Sequence, residues 1–196
     1  MNKLRHELWL VRHGETEWSA AKRHTGRTDI PLTPAGERQA AHLSRSLAGR
    51  QFASVLCSPL RRARETCRLA GYGDTASMTD DLLEWDYGIY EGKTTQEMKV
   101  EQPEWSIWTA DVINGESIEQ VGRRAQRVIQ RTLEVNGNVI LFAHAHILRI
   151  LTACWLDLQP DAGQLFVLRT ASVSILGFEH GRRVITGWNL QHDERI

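Results

Sequence analysis

Leu8-Trp9-Leu10-Val11-Arg12-His13-Gly14-Glu15-Thr16 is the stretch on which the fold turns. Four apolar residues end abruptly in Arg, His and Gly. A short apolar run bounded by turn residues reads as a buried strand, so Arg12 and His13 fall at its C-terminal end. In open α/β sheets that edge is where ligands bind. Gly14 lets the backbone turn tightly and leaves room beside the imidazole. A histidine held there beside an arginine suits an anionic ligand, phosphate first. The same residues also read as a strand end that happens to carry Arg and His before an ordinary glycine turn. The stretch alone leaves both readings open.

Working outward, residues 7–12 form the first strand, and a polar loop follows to Pro31. Thr33-Pro34 reads as a helix N-cap followed by proline. Ala40, Leu43 and Leu47 keep helical spacing, and Gly49 offers a stop. A second strand is expected over 52–57. Ser58-Pro59 then repeats the cap-and-proline signal and places Arg61, Arg62 and Arg64 early in a helix, where free N–H groups and the dipole favour anions. A short strand near 75–79 precedes an aromatic, acidic loop over 80–92. A carboxyl group packed among aromatics has its charged form disfavoured, which raises its pKa and suits it to act as an acid. Glu84 and Asp86 both qualify, and a plain surface loop is the alternative.

Residues 94–102 look helical. Trp105 and Trp108 lie three apart, on one face of a helical turn; they read either as core packing or as an aromatic wall or dimer contact. Ser117-Ile118-Glu119-Gln120 is a capping-box pattern that opens an amphipathic helix, with Ile118, Val121, Ala125, Val128, Ile129 and Leu133 on one face. A buried strand over 138–143 ends at His144, and a helix is expected over 147–156. Strands near 172–179 and 183–188 flank a hairpin turn at 179–182. Strands alternating with helices predict a single-domain, three-layer α/β/α sandwich over residues 1–196, its sheet mostly parallel with an antiparallel edge strand. His13 and His144 then end separate strands at one sheet edge.

The chain has 196 residues, 24 Lys plus Arg against 24 Asp plus Glu, and therefore no formal net charge. That balance argues against nucleic-acid or anionic-membrane partners, which call for a basic surface. No apolar run approaches the ~20 residues of a membrane helix. Residues 1–7 are polar and mostly charged, unlike a secretory signal. Three widely spaced cysteines, Cys57, Cys67 and Cys154, fit reduced thiols in a cytoplasmic protein better than a disulfide framework. Seven tryptophans, if exposed, would support a homodimer.

Three later stretches join the first: Cys57-Ser58-Pro59-Leu60-Arg61-Arg62-Ala63, Leu83-Glu84-Trp85-Asp86-Tyr87-Gly88 and Leu141-Phe142-Ala143-His144-Ala145-His146. Together the four resemble the catalytic blocks of the histidine phosphatase superfamily, the phosphoglycerate-mutase-like phosphatases (branch 1), in that family's order and across nearly the whole chain. Glu84-Trp85-Asp86-Tyr87-Gly88, Trp105-x-x-Trp108 and Gly115-Glu116-Ser117 look most like the small acid phosphatases and sedoheptulose-bisphosphatase-type members. The resemblance implies His13 as a nucleophile that forms phosphohistidine. Arg12, Arg62 and a protonated His144 would hold the three phosphate oxygens, and Glu84 would be the proton donor. The substrate-binding set would be Ser19, Thr25, Gly26, Tyr87, Ala145 and His146, with the backbone of Thr25-Gly26 contacting the phosphate.

The expected activity is hydrolysis of a small phosphate ester, without metal or cofactor. Many members carry His-Gly where this chain has His144-Ala145. His144-x-His146 also reads as a metal pair, although no Asp-His ligand set follows. Phosphoglycerate mutases carry a long basic insertion where this chain has a short interval, Gly92 to Glu116, with only Lys93 and Lys99 as cations. A sugar-bisphosphate phosphatase, a mutase and a non-catalytic phospho-ligand-binding module are the alternatives.

Overall fold

A computed structural model describes residues 6–191. Residues 1–5 and 192–196, with the two ends of the expected domain and most of the polar N-terminal stretch, lie outside the described residues. The strands are β1 (Leu8–Arg12), β2 (Ser54–Cys57), β3 (Ala76–Met78), β4 (Val139–Ala143), β5 (Val173–Glu179) and β6 (Arg182–Leu190). The helices are α1 (Glu17–Ala20), α2 (Pro34–Ser46), α3 (Arg61–Leu69), α4 (Thr95–Glu101), α5 (Ile118–Leu133) and α6 (Ala145–Trp155).

One sheet runs β3-β2-β4-β1-β5-β6. The first four strands in that order pair in parallel. The antiparallel pairings fall at the other edge: β5 runs against β1, and edge strand β6 runs against β5. Side-chain alternation explains the layers. Leu8, Leu10, Leu56, Val139 and Leu141 face α5 and α6, while Trp9, Val11, Val55, Ile140 and Phe142 face α2 and α3. Both faces of β1 and β4 are covered, which is why these strands read as unbroken apolar runs. The α/β class with helices on both faces is therefore the observed one.

Register positions the site. Arg12 pairs with Ala143 and Cys57 with Phe142. The His13 N–H donates to Ala143 O at 3.0 Å, and the Ser58 N–H to Phe142 O at 2.9 Å. Three consecutive strand ends thus present His13, Ser58 and His144 side by side.

Local signals worked where they are self-contained. Thr33 caps α2 by accepting from Gly36 N–H, and Ser117 caps α5 in a reciprocal box with Gln120. Four expectations change. The polar loop after Thr16 contains α1, capped by a box between Thr16 and Ser19. Leu60, not Ser58, is the N-cap of α3, so Pro59 lies outside that helix. The helix after β4 begins at Ala145 directly after His144, two residues before the expected start. Leu133, expected on the buried face of α5, is 37% exposed, and Thr132 is buried in its place.

Gly14 has no positive φ; a Cβ there would lie 2.4 Å from Gly36 O at the start of α2, so close backbone approach demands the glycine. None of the seven tryptophans is exposed, which removes the expected ground for a homodimer. No helix among the described residues is long and apolar enough to cross a membrane.

Candidate active site

His13 leaves β1 with its ring buried. Its Nδ1 lies 2.7 Å from Gly14 O, a carbonyl that can only accept, so the proton is on Nδ1 and Nε2 carries the lone pair. Burial, then the cations Arg62 and Arg12, push its pKa well below the usual 6.5. The imidazole is therefore neutral, as a nucleophile must be. Arg12 beside it donates through Nη1 to Leu168 O at 2.6 Å, and its buried Nε–H has no partner. Thr66 fixes the turn beyond: its hydroxyl accepts from Gly14 N–H and donates to Arg62 O.

Arg62 is fully buried on the first turn of α3. Its Nη1 donates to Thr28 O, its Nη2 to Thr25 O and Gly26 O, and its Nε to His144 Nδ1 at 3.0 Å. Nδ1 of His144 must therefore be an acceptor, and its proton sits on Nε2, 2.8 Å from Ser58 Oγ. This overturns the protonated His144 expected from sequence: a guanidinium facing one ring nitrogen leaves no place for a second proton. Burial, then Arg62, hold its pKa well below 6.5. The His13 and His144 rings lie 5.1 Å apart.

Glu84 is buried at the N-terminus of α6. Its carboxylate accepts from the N–H groups of Trp85, His146 and Ile147 at 2.9–3.0 Å. The apolar isolation expected from the aromatic loop is not what surrounds it, because the open N–H groups of a helix terminus supply donors. Asp86, the rival carboxylate, turns outward to accept from Gly88 N–H and lies 3.9 Å from Arg27 Nε. Tyr87 is buried with its hydroxyl 2.5 Å from His146 Nδ1. Ala145 is half-buried and opens α6.

The other expected contacts differ. The Thr25 hydroxyl donates to Arg23 O, and the Gly26 N–H is taken by Glu91 Oε1 at 2.9 Å, which also accepts from Thr28 N–H. The Thr25-Gly26 backbone thus serves Arg62 through its carbonyls, and its Gly26 amide belongs to Glu91. A Cβ on Gly26 would meet Trp85 O at 2.5 Å. The Ser19 hydroxyl is spent on the Thr16 backbone. Trp105 and Trp108 lie in turns rather than a helix. Trp105 packs inward on Tyr90 and His24, while Trp108 packs at a tilt against His146, ring centroids 5.0 Å apart, and carries the Arg149 guanidinium at 4.6 Å. Among the described residues no group of three or more His, Cys, Asp or Glu is arranged to hold a metal ion. The His144 and His146 rings turn to Arg62 and to Tyr87 instead of converging.

The fold thus gathers Arg12, His13, Arg62, Glu84 and His144 at one sheet edge, with Tyr87 and His146 adjoining. Sequence reading missed Ser58, Glu91 and Arg149. Ser58 was legible by the logic applied to His13 and His144: it is the residue just past a buried strand. Arg149 follows His146 by three in α6, a relation that the late helix start obscured.

The sequence matches the sequence model of the histidine phosphatase superfamily (branch 1) over residues 8–191. An acid phosphatase of Mycobacterium tuberculosis is 41% identical over 182 residues, covering 91% of this chain and 89% of its own length. Sedoheptulose 1,7-bisphosphatase of Saccharomyces cerevisiae is 36% identical over 182 residues, covering 76% of this chain and 67% of its own. The solved structure of an open reading frame from Mycobacterium tuberculosis superposes with a TM-score of 0.90 at 40% identity, covering 95% of this chain and 98% of that one.

Proposed function

The chain belongs to branch 1 of the histidine phosphatase superfamily, and from that premise we propose that it hydrolyses small phosphate monoesters through a phosphohistidine on His13. The observation that carries this reading is the state of His13: buried, neutral, its Nδ1–H on Gly14 O, which leaves the lone pair on Nε2, and the Arg62 and Arg12 cations acting on the ring.

Phosphoryl transfer asks for positioning and charge neutralisation. Arg12 brings a buried, unpartnered Nε–H. Arg62 keeps one of its Nη1 hydrogens, the other four N–H groups being spent on His144 and the 25–28 loop. His144 can turn its Nε2–H from Ser58 to a phosphate oxygen. His13 Nε2 attacks phosphorus, the P–O ester bond breaks, and the leaving oxygen takes a proton from Glu84. Water then loses a proton to Glu84 and attacks phosphorus, the P–N bond breaks, and inorganic phosphate leaves. Glu84 must carry the proton that it gives to the leaving oxygen in the first step, and it takes one back from water in the second.

The proposal extends to one domain over residues 1–196, to catalysis without metal, and to a small ester rather than nucleic acid as substrate. It also extends to a cytoplasmic setting, which the free and buried Cys57, Cys67 and Cys154 support. The direct test is a rapid alkaline quench of turnover with phosphate-labelled substrate, since phosphohistidine is acid-labile. Label should appear on His13 and vanish in His13→Ala. Full turnover by His13→Ala, or label on another residue, overturns the assignment. Activity should also survive exhaustive chelation; loss on chelation with rescue by a divalent ion would sink the metal-free reading.

A further inference from the structure

Most of the Arg62 fork is already engaged by the protein itself, through His144 Nδ1 and the carbonyls of Thr25, Gly26 and Thr28. Where its remaining Nη1 hydrogen points therefore depends on how that loop is held. The loop is held by one carboxylate. Glu91 Oε1 accepts from Gly26 N–H at 2.9 Å and from Thr28 N–H at 3.0 Å. Arg62 takes the carbonyls of the same two residues, Thr28 O through Nη1 at 2.9 Å and Gly26 O through Nη2 at 2.8 Å. The Thr25–Gly26 peptide is gripped at both ends, its N–H by Glu91 and its C=O by Arg62 Nη2 at 3.1 Å. A peptide group is planar and stiff, so fixing the N–H fixes the carbonyl.

Backbone pairing leads into this contact. Gly92 N–H donates to His24 O and His24 N–H to Lys93 O, both at 2.8 Å; at Glu91 the side chain takes over where that pairing ends. The fit is close, since a Cβ on Gly26 would lie 2.5 Å from Trp85 O and 2.6 Å from Glu91 Oε2. The Glu91 carboxylate forms no ion pair among the described residues, so a surface salt bridge does not account for it. Burial lowers the pKa of Arg62, and Glu84, Asp29 and Glu91 are among the groups that oppose this.

We infer that Glu91 is a positioning residue for phosphate binding: by holding the Gly26 and Thr28 amides it sets the carbonyls that aim the remaining Nη1 hydrogen of Arg62 at a phosphoryl oxygen. The inference rests on the phosphate-binding role of Arg62 in the reading above and adds the side chain through which the acidic loop controls it.

The test pairs Glu91→Ala, which removes the acceptor, with Glu91→Gln, which keeps Oε1 as an uncharged one. Each is titrated with inorganic phosphate by calorimetry and assayed for kcat/KM on p-nitrophenyl phosphate. Glu91→Ala should weaken phosphate binding by about 10- to 100-fold, the scale of a hydrogen bond to a charged group, and kcat/KM should fall by about 100-fold, as for a catalytic group moved out of place. Glu91→Gln should stay within about 5-fold of the wild type in both. A merely structural role would move Tm alone, so a folded Glu91→Ala with wild-type phosphate affinity overturns the inference. So does Glu91→Gln as impaired as Glu91→Ala, because charge rather than position would then be the cause. The effect must also pass through Arg62: in an Arg62→Lys background Glu91→Ala should cost less than about 3-fold in kcat/KM, and the full loss there counts against the inference. If Glu91→Ala does not fold, Glu91→Asp decides. It keeps the charge one methylene short of both amides and should lose phosphate affinity, and unchanged affinity overturns the inference. A wild type that binds phosphate without hydrolysing p-nitrophenyl phosphate would sink the phosphatase reading alone, whereas one that does neither sinks both.

Discussion

Glu84 and Asp86 lie two residues apart in one loop, and the structure separates them by what each touches. Glu84 is buried beside His146 and Ile147; Asp86 turns outward toward Arg27. A general acid matters most when the leaving group is basic, and p-nitrophenolate can leave without a proton. Glu84→Gln should therefore slow phosphoenzyme formation from an alkyl phosphate by about 100- to 10,000-fold, and far less from p-nitrophenyl phosphate. The step must be read from the burst or from kcat/KM, since Glu84 also serves dephosphorylation. Asp86→Asn should show no such contrast; if the two variants exchange behaviours, Asp86 is the acid. His24 shows a different consequence of burial, which holds its pKa at about 4 against the usual 6.5. The unfolded chain protonates this ring as pH falls through 6.5, the folded chain only near 4. Stability is thus lost through that window, by about 3 kcal/mol at its lower end. His24→Phe should lose less Tm than the wild type between about pH 7 and about pH 5, and parallel melting curves would refute that titration.

At the level of elements, Glu84 also ties the acidic loop to α6, because its two oxygens accept from the first turn of that helix. Glu84→Gln turns an NH2 toward at least one of those N–H groups and should cost about 1–3 kcal/mol of stability. Asp86→Asn, half-buried and retaining its Oδ1 acceptor, should cost less. Urea melts decide, and equal midpoints for the two variants would mean that Glu84 does not hold the helix. The same helix shows what sequence could and could not reveal. Strands β1 and β4 were legible because burial on both faces leaves only apolar residues, and the caps of α2 and α5 because Thr33 and Ser117 act within four residues. The start of α6 was not legible: His144 caps it without a side-chain hydrogen bond, so no polar signature marks the boundary. Ser58-Pro59 carried a valid cap signature, yet the Ser58 hydroxyl meets His144, 86 residues away. The protonation state of His144 likewise depends on Arg62, a contact spanning 82 residues that no local pattern encodes. Composition and motif order located the reacting groups; only packing could say which nitrogen faces which donor.

For the whole molecule, the choice between hydrolysis and mutation of phosphate position depends on where cations lie around one neutral nucleophile. A mutase must keep water from the phosphoenzyme and hold a doubly charged intermediate while it turns end for end. That calls for cations able to engage either end. Between Gly92 and Glu116 the chain offers only Lys93 and Lys99, and both are exposed. The interval instead forms α4 and the turns that place Trp105 in the core and Trp108 against His146. Its residues build a wall and add no basic clamp. Arg149 stands on the α6 side, its guanidinium donating to the Gly163 and Gln164 carbonyls, outside that interval. Given 3-phosphoglycerate, the enzyme should release inorganic phosphate faster than it forms the 2-isomer. Both products can be followed in one time course by phosphorus NMR. Isomerisation faster than phosphate release by ~100-fold, about 2.7 kcal/mol of barrier difference, would mean that the wall excludes water well enough for return transfer, and the hydrolase assignment would fall.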